Sequence, residues 1–556
     1  MNKTAKIDLS ADRLISIADD CLEAHDYIQA LKMLNKNAAL NGNDEDSYML
    51  YAEAFDDMGL YEKCVNGWFK YIDYADDEAD LVAAYESIAV SFMNMRMDNF
   101  AAYYYNKLLM ETDEELTSED RKQIIDAFLQ GNDKPALKFV YPPRLVDYSE
   151  HIEAGMSLMS RSDFDSAVSE FEKVDEHSDK YVSARNYIAM CNVIGDKYEE
   201  AEEECRAILE RDPDNVQALT TLAAVKGQQH KRDEAIELAR RLLKINPDEG
   251  DELFKIATVC CENGLHDEAY SIFCRLDERF DYDCSLLFFK AVSAFNSGRV
   301  EKSLETFDTL LTVYPNAVTA EYWYNVALEE KDKPEKERKV LEYFYRLPRH
   351  ECEATIGLLT AFYRLKDKLA EKFCEEADIL SAVHWCVDDG DSNLDSQLKL
   401  LGAMCAVKGR LDDAVRDILL DAFQPDDIKF EIIKALVMRN EEDVFGVVVF
   451  NFYNRLPLVP VNIGRNRKTS FLRAYALAFS RFAMLEPENP YLLSAATESL
   501  YIKLEAEGRL KDCGSASALA AAILIHSTVK AKELSEEQIC KFFGASVKKV
   551  KVILED

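Results

Sequence analysis

The amino-acid sequence predicts an all-α chain in which paired helices stack into a solenoid. Small residues recur every 34 positions at two points of each repeat, twelve residues apart. This spacing is typical of repeats whose two helices cross closely. The 556 residues include only 19 glycines and 13 prolines, and no sustained alternation of Val, Ile and Thr indicates a strand. The first small position is held by Gly155, Ala189, Ala223, Ala257 and Ala291, and the second by Ala167, Ala201, Ala235, Ala269 and Ser303.

Composition and charge indicate which classes of partner the protein can bind. With 48% hydrophobic residues the chain has enough apolar surface for a continuous core. It carries 103 acidic against 66 basic residues, a formal charge of −37. Such a surface repels nucleic-acid phosphates and anionic membranes and favours basic partners. The first interpretation is a solvated acidic surface without a specific ligand, and a specific basic ligand is the alternative.

Cysteine usage and hydropathy predict the compartment. The fourteen cysteines show no C-x-x-C spacing, and most lie where a helix needs a small buried residue. So many thiols without a disulfide pattern predict a reducing compartment. Residues 1–8 lack the apolar run of a signal peptide, and no apolar stretch approaches the roughly 18 residues of a membrane span. We therefore expect a cytoplasmic protein that does not cross a membrane.

The regular block covers residues 148–330. Each repeat there predicts two amphipathic helices of about 12–15 residues. Pro213, Pro247 and Pro315 each follow the second small position by twelve residues, where proline ends one helix and can begin the next. Residues 196–201 (DKYEEA) and 231–235 (KRDEA) resemble the turn into the second helix of the tetratricopeptide repeat (TPR) family. The resemblance implies a right-handed superhelix whose concave face, lined by the first helices, binds an extended or helical peptide.

Less regular segments flank this block. Residues 1–133 predict an irregular TPR-like block, and the prolines of residues 134–147 predict a joint. Residues 331–456 predict further helical repeats of uncertain type, and the charged stretch around Pro334 is interpreted as a degenerate ninth repeat. Residues 457–470, with prolines and a basic run, predict a linker. The small residues of the first block pair as Ala18 with Ala30, Ala52 with Cys64, and Ala89 with Ala101.

The last 86 residues, 471–556, predict a compact five-helix module. Ile539 and Phe543, the turn residue Gly544, and Val547 and Val550 follow the rhythm of a helix-turn-helix. The module is similar to one cyclin-like repeat of the transcription factor IIB type, but it has a single such unit and no preceding zinc ribbon. The predicted helices lie at about 471–485, 489–507, 514–527, 535–543 and 546–555.

The sequence contains no complete motif for catalysis or metal binding among those considered below. His350-Glu351-Cys352 begins like the zinc site of a deaminase, but no P-C-x-x-C follows, and a charged helix surface is the better interpretation. Residues 388–393 suggest a calcium loop, but Leu394 and Leu400 stand where glycine and glutamate are required. The sequence predicts a protein that is not an enzyme and holds no cofactor and no metal.

The predicted functional site is the partner groove on the first helices of the regular block. The positions at which one TPR subgroup clamps a C-terminal carboxylate hold Ile152, Met156, Asn186 and Met190 here, so we expect no such clamp. Methionine and phenylalanine favour an apolar or amphipathic helix instead. In the competing interpretation, Phe254 and Phe288 pack between neighbouring repeats. The resemblance places in the groove Met156, Met159, Asn186, Met190, Thr220, Phe254, Thr258, Phe288, Val292 and Phe295.

A second candidate surface is the basic cluster Lys548, Lys549 and Lys551. Three lysines can contact phosphates without specifying a base, but a solvated helix face is the better interpretation, and a protein contact is a further alternative. We therefore predict a non-catalytic scaffold or adaptor that binds a partner protein or peptide, such as a basic or amphipathic helix. The alternative is a transcription-associated regulator whose C-terminal module contacts DNA or the transcription machinery. A third reading, an enzyme within residues 331–465, has no motif to support it.

Overall fold

A computed structural model describes most of the chain. The described residues are helical except for loops and one two-stranded β-hairpin, which confirms the predicted class of an all-α helix-pair repeat. They form two compact units, the first within Met1–Lys134, Pro315–Val318 and Leu347–Asp556, the second within Pro135–Tyr314 and Thr319–Arg346. No helix among them is long and apolar enough to span a bilayer. The described residues are 9–75, 81–97, 100–101, 103–104, 148–159, 163–176, 178, 180–247, 249–277, 282–373, 377–387, 396–438, 445–456, 467–482, 491–513, 515–527 and 535–554.

The first unit begins with helices that pair through small residues. Ala18 and Ala30 are fully buried where the first two helices cross, and Ala52 and Cys64 where the next two cross. The backbones approach closely there, since a Cβ at Gly67 would lie 3.0 Å from the Cβ of Ala52. These helices are α1 (Ala11–Glu23), α2 (Tyr27–Asn41), α3 (Glu45–Asp57), α4 (Tyr61–Tyr74) and α5 (Leu81–Asn94).

The described residues of the second unit form five helix pairs and one further helix. The small residues that set the 34-residue period are buried at the crossings, Ala223 and Ala235 each at 1% exposure. At Gly155 even a methyl group would overlap the ring of Phe171. The pairs are α6 (Ser149–Met159) with α7 (Phe164–Phe171), α8 (Tyr181–Ile194) with α9 (Tyr198–Arg211), α10 (Val216–Gln228) with α11 (Arg232–Leu242), α12 (Gly250–Glu262) with α13 (His266–Asp277), and α14 (Cys284–Asn296) with α15 (Val300–Val313), followed by α16 (Val318–Glu330).

A left-handed residue closes the turn inside four of these pairs, again every 34 residues. Asp196, His230, Gly264 and Gly298 have φ of 58°, 58°, 75° and 84°. The following N–H then reaches back over the helix end, as from Lys231 to the carbonyl of Lys226 (2.9 Å). This bond satisfies a carbonyl that the helix leaves without an internal partner.

The chain after α16 departs from the expected ninth repeat. Residues 331–346 hold only a 3-10 turn, Glu335–Glu337, and then run on without a helix. Pro334 stands before that turn with ψ of 142°. Proline cannot donate the hydrogen bond that a continuing helix needs, and it biases its predecessor away from helix. The helical interpretation of this stretch is therefore wrong.

The first unit resumes with six helices and then the hairpin. The sequence predicts helix up to residue 456, whereas residues 445–456 pair as antiparallel strands. Val447, Val448 and Val449 are buried, which suits a β-branched run, and the turn residues Phe450 and Asn451 both have positive φ. The elements are α17 (Arg349–Tyr363), α18 (Asp367–Phe373), α19 (Ala377–Val387), α20 (Ser396–Gly409), α21 (Asp412–Leu420), α22 (Asp426–Met438), β1 (Phe445–Val449) and β2 (Phe452–Leu456).

The hairpin packs on the N-terminal helical residues of the same unit. The Tyr104 hydroxyl donates to the carbonyl of Asn451 (2.7 Å) and accepts the N–H of Tyr453 (3.1 Å). The rings of Tyr103 and Phe452 lie 4.3 Å apart. The beginning of the chain and its C-terminal part therefore share one hydrophobic core.

Five helices complete the first unit. All residues from Ala518 to Leu524 are buried, because their helix packs against the two helices before it and the two after it. Lys503 donates to the carbonyl of Leu554 at the end of the chain (3.2 Å). The helices are α23 (Lys468–Phe482), α24 (Tyr491–Ala506), α25 (Ala516–His526), α26 (Glu536–Phe542) and α27 (Val547–Leu554).

Candidate functional site

The predicted groove residues all lie on the first helices of the second unit. The surface formed by α6, α8, α10, α12, α14 and α16 is called the first-helix face below. Helices α8, α10, α12 and α14 contact one another in succession. Local caps fix where these helices begin. The side chain of Asn215 accepts the N–H of Ala218 at the start of α10, and that of Asp283 accepts the N–H of Leu286 at the start of α14.

The early part of this face presents predicted residues to solvent. Met156 on α6 is 47% exposed, and Met159 is partly exposed. Asn186 and Met190 on α8 are partly exposed as well. The Asn186 amide donates to the side chain of Asn215 (3.2 Å), so its orientation is set by the capping residue of the next first helix. These four residues form a surface that a ligand can reach.

The middle of the face is more closed. The hydroxyls of Thr220 and Thr258 donate to carbonyls of their own helices, Gln217 and Phe254, both at 2.9 Å. Thr220 is buried, while Thr258 and Phe254 are partly exposed. The Phe254 ring meets that of Phe273 edge-on at 5.8 Å. Phe254 thus contributes to packing between helices, as the competing interpretation has it.

The remaining predicted residues do not face solvent. Phe288, Val292 and Phe295 on α14 have exposures of 0%, 0% and 3%. The ring of Phe288 meets that of Tyr345 edge-on, with centroids 4.9 Å apart. Their placement on an open groove is therefore corrected, because the protein's own chain covers this part of the face.

The cover is the return segment, defined here as residues 338–346. Asn296, the last residue of α14, binds both the N–H and the carbonyl of one residue in this segment. The side-chain amide of Asn296 donates to the carbonyl of Leu341, and its oxygen accepts the N–H of Leu341, each at 2.9 Å. Leu341 itself is fully buried. One side chain thus recognises an extended backbone as a neighbouring strand would.

Helix α16 holds both ends of the return segment. The indole N–H of Trp323 donates to the carbonyl of Arg346 (2.9 Å). The N–H of Lys339 donates to the carboxylate of Glu330 (3.1 Å). A hydrogen bond from the Lys333 ammonium and this one from Lys339 lower the pKa of Glu330, which therefore stays charged at neutral pH.

Burial alternates along the return segment. Leu341, Tyr343 and Tyr345 turn towards the helices, and Glu342, Phe344 and Arg346 are exposed. Tyr343 packs against a core cluster built from helices α10 to α14. Burial, and after it the nearby carboxylate of Glu262, raise the pKa of Tyr343. Every second side chain of residues 341–345 therefore lies on the helices, while the backbone bends at residues 343–346, where the N–H of Arg346 donates to the carbonyl of Phe344 (2.8 Å).

The sequence contained a signal for this arrangement that the helical interpretation overlooked. Leu341, Tyr343 and Tyr345 alternate with other residues between Pro334 and Pro348. Alternating large apolar residues bounded by prolines indicate an extended segment. The helical surface that receives it could not be identified from spacing alone.

The second candidate surface lies on α27. Lys548, Lys549 and Lys551 are exposed, and Val550 and Ile553 on the same helix are buried. A short turn in which Gly544 has φ of 61° connects this helix to α26. The lysines are therefore available to an anionic or a protein partner.

Residues with catalytic potential are few. Among the described residues, no group of three or more His, Cys, Asp or Glu side chains is placed to hold a metal ion. His350 lies in the first turn of α17 beside Glu351 (3.5 Å), and the predicted calcium loop at residues 388–393 lies outside the described residues. Burial raises the pKa of Cys205, Cys260 and others to about 12, which removes their thiolates at neutral pH.

A cleft of about 420 Å³ lies in the first unit and could receive a small ligand. Asp426 is the one titratable side chain among its lining residues, and burial raises its pKa. Its carboxylate accepts the N–H of Phe450 (3.3 Å) and lies 3.7 Å from the buried ammonium of Lys429. These contacts give the carboxylate of Asp426 a structural role. The residues that line the cleft therefore include no pair of side chains placed for acid–base catalysis.

Comparison with known proteins supports the repeat assignment. Residues 152–216, from α6 to the start of α10, match the tetratricopeptide repeat family. No curated protein matches the chain. The assignment rests on this match and on the observed 34-residue repetition, and no enzyme family is indicated.

Three solved structures are similar to parts of the chain. YrrB, "a TPR protein with an unusual peptide-binding site", is 20% identical, with 32% of this chain and 91% of that chain covered and a TM-score of 0.25. Yeast Tom70 is 14% identical, with 77% and 96% covered and a TM-score of 0.30. The TPR2AB domain of yeast Sti1, solved as a complex with pHSP90, is 17% identical, with 49% and 96% covered and a TM-score of 0.19.

Proposed function

We propose that the protein is a non-catalytic scaffold that binds a partner protein or peptide on the first-helix face of its second unit. The observation that carries the proposal is the return segment, because it supplies an example of an extended chain seated on this face through Asn296 and Trp323. The part of the face on α6 and α8 carries no such cover among the described contacts and presents Met156 and Met190. Apolar burial there would supply affinity.

The test is affinity capture with the full-length protein after nuclease treatment. The variant Met156→Ala with Met190→Ala removes two flexible apolar side chains from the accessible part of the face. Ile502→Ala, 60% exposed on α24 in the first unit, is the matched control. We expect wild type and control to retain a partner that the double variant loses. The same partners on all three proteins would contradict the proposal.

Phe254 and Phe288 were also predicted to line the groove, but a variant that replaces both with alanine is unsuitable for this test. Phe288 is fully buried and packs against Tyr345 and Phe307. Removing its ring would leave a cavity inside the second unit. A loss of binding would then report a loss of folding.

The alternative function, a transcription-associated regulator, is favoured by one observation, the exposure of Lys548, Lys549 and Lys551 on α27. The resemblance of the C-terminal helices to a cyclin-like repeat belongs to this alternative. If α27 binds DNA, the full chain should be retained on DNA at low salt, and this retention should weaken steeply as the salt concentration rises. The variant K548A/K549A/K551A should abolish the retention. No DNA retention by the wild type at low salt would eliminate direct DNA binding.

The charge of the chain and its cysteines bear on partner and compartment. A net charge of −37 favours basic partners. The cysteines of the described residues form no disulfide bond, which suits a reducing cytoplasm. We place the protein there, binding neither a membrane nor, outside α27, nucleic acid.

A further inference from the structure

We propose that the return segment is a built-in ligand, and that the surface beneath it also takes an extended peptide from another protein in its place. The peptide would carry an aliphatic residue followed at the second and fourth positions by aromatic residues, with basic residues at its flanks. This inference rests on the proposed function, because both use the first-helix face, but it concerns α12, α14 and α16 rather than α6 and α8.

The first argument is backbone recognition. Asn296 contacts the N–H and carbonyl of Leu341, and Trp323 donates to the carbonyl of Arg346. These backbone groups exist in any peptide, whereas the Lys339 ammonium, 6.0 Å from the centre of the Trp323 ring, is a contact that only a basic side chain supplies. The contacts therefore select a backbone conformation and a basic residue rather than the whole of this sequence.

The second argument is the set of side-chain pockets. Leu341 is fully buried, Tyr343 lies against the core cluster near Glu262, and Tyr345 meets Phe288. The Tyr345 hydroxyl lies 3.8 Å from the sulfur of Cys284, at the opposite end of α14 from Asn296. The segment thus runs antiparallel to α14 and places three alternate side chains on it. These pockets define the aliphatic-x-aromatic-x-aromatic preference.

The third argument is charge. The return segment holds Arg338, Lys339 and Arg346 against a single acidic residue, Glu342. Its hosts provide Glu330, which accepts the N–H of Lys339, and Glu262 beside Tyr343. A basic peptide is therefore complementary to this part of an acidic protein.

The fourth argument is that the cover can leave. Residues 331–337, which precede it, are all exposed, and Val340 and Phe344 on its outer side are 63% and 41% exposed. The segment lies in no described helix or strand, so its departure breaks no helix or sheet ladder. Its departure breaks the hydrogen bonds to Asn296, Trp323 and Glu330 and the packing of Leu341 and Tyr345, which an incoming peptide with the same contacts would replace.

The test uses the full-length protein and a fluorescent peptide that copies residues 338–346. The variant L341S/Y343S/Y345S empties the three pockets, and V340S/F344S is the matched control on the outer side. By fluorescence anisotropy we expect the peptide to bind the emptied variant about tenfold more tightly than wild type or control, because the built-in ligand no longer competes. Adding Asn296→Ala to the emptied variant should abolish binding.

Two results would overturn the proposal: no binding of the peptide to a folded emptied variant, or equal affinity for wild type and that variant. Circular dichroism and thermal unfolding establish folding. If the triple variant does not fold, Leu341→Ala replaces it with an expected gain of about threefold, and an unchanged affinity has the same meaning. Partner capture that depends on Met156 and Met190 while the peptide fails would retain the proposed function and reject this inference.

Discussion

Two parts of the same face differ in what covers them. On α6 and α8, predicted groove residues reach solvent, as Met156 does at 47% exposure. On α14 the corresponding residues are buried, and the return segment contacts Phe288 through Tyr345 and Asn296 through Leu341. Asn186 and Phe288 hold the same place in their repeats, three periods of 34 apart, yet one is partly exposed and the other fully buried. Repeat position therefore determines where a side chain points, and tertiary contacts determine whether a ligand can reach it.

The turns of the two parts differ as well. The early pairs α8–α9 and α10–α11 use Asp196 and His230 at the left-handed position, and the later pairs use Gly264 and Gly298. Glycine adopts this conformation without the steric cost that a Cβ brings. The turns that carry a Cβ thus lie in α8–α9 and α10–α11, and the glycine turns lie in α12–α13 and α14–α15, the last of which includes the covered helix α14.

The largest expected effect tests whether the covered part is core. Phe288→Ala should lower the free energy of unfolding by about 3–5 kcal/mol, because a fully buried ring is replaced by a cavity. Met190→Ala, at a partly exposed position, should cost about 1 kcal/mol or less. Denaturant unfolding of the two variants measures both. Equal losses would mean that the two parts of the face do not differ in packing.

The next effect tests what holds the return segment. Asn296→Ala leaves the N–H and carbonyl of Leu341 without their partner, which should cost about 1–3 kcal/mol. Hydrogen exchange at the Leu341 amide should accelerate correspondingly. Asn186→Ala is the control on the accessible part, since it removes one side-chain contact to Asn215 and should leave Leu341 protected. Unchanged exchange in Asn296→Ala would show that other contacts hold the segment.

The sequence predicted the parts of this fold that depend on local spacing. Small residues such as Ala223 and Ala235 determine where helices cross, so the helix pairs follow from the 34-residue period alone. The same spacing places the proposed partner surface on the first helices, and this placement stays a prediction. The division of this surface into an accessible and a covered part could not be predicted from the spacing. The covering segment lies more than forty residues from Asn296 in the sequence and pairs with it only in the folded protein.

The hairpin illustrates a second limit. The run Val447–Val449 has strand propensity, but the turn residues Phe450 and Asn451 lack the glycine that normally indicates a two-residue hairpin. Its stability depends on Tyr103 and Tyr104, which lie more than three hundred residues earlier in the chain. Contacts of such separation leave no periodic pattern for sequence reasoning to detect.

The smallest expected effect concerns the turns. His230→Gly should raise the free energy of unfolding by roughly 1 kcal/mol, because it relieves a left-handed residue at φ of 58°. Gly264→Ala should lower it by a similar amount, since no neighbouring atom lies closer than 4.0 Å to the added Cβ and only the φ of 75° is unfavourable. Thermal unfolding of both variants shows whether their stabilities change in opposite directions. If both variants destabilise the protein, the imidazole of His230 stabilises its turn, and backbone strain does not distinguish the early pairs from the later ones.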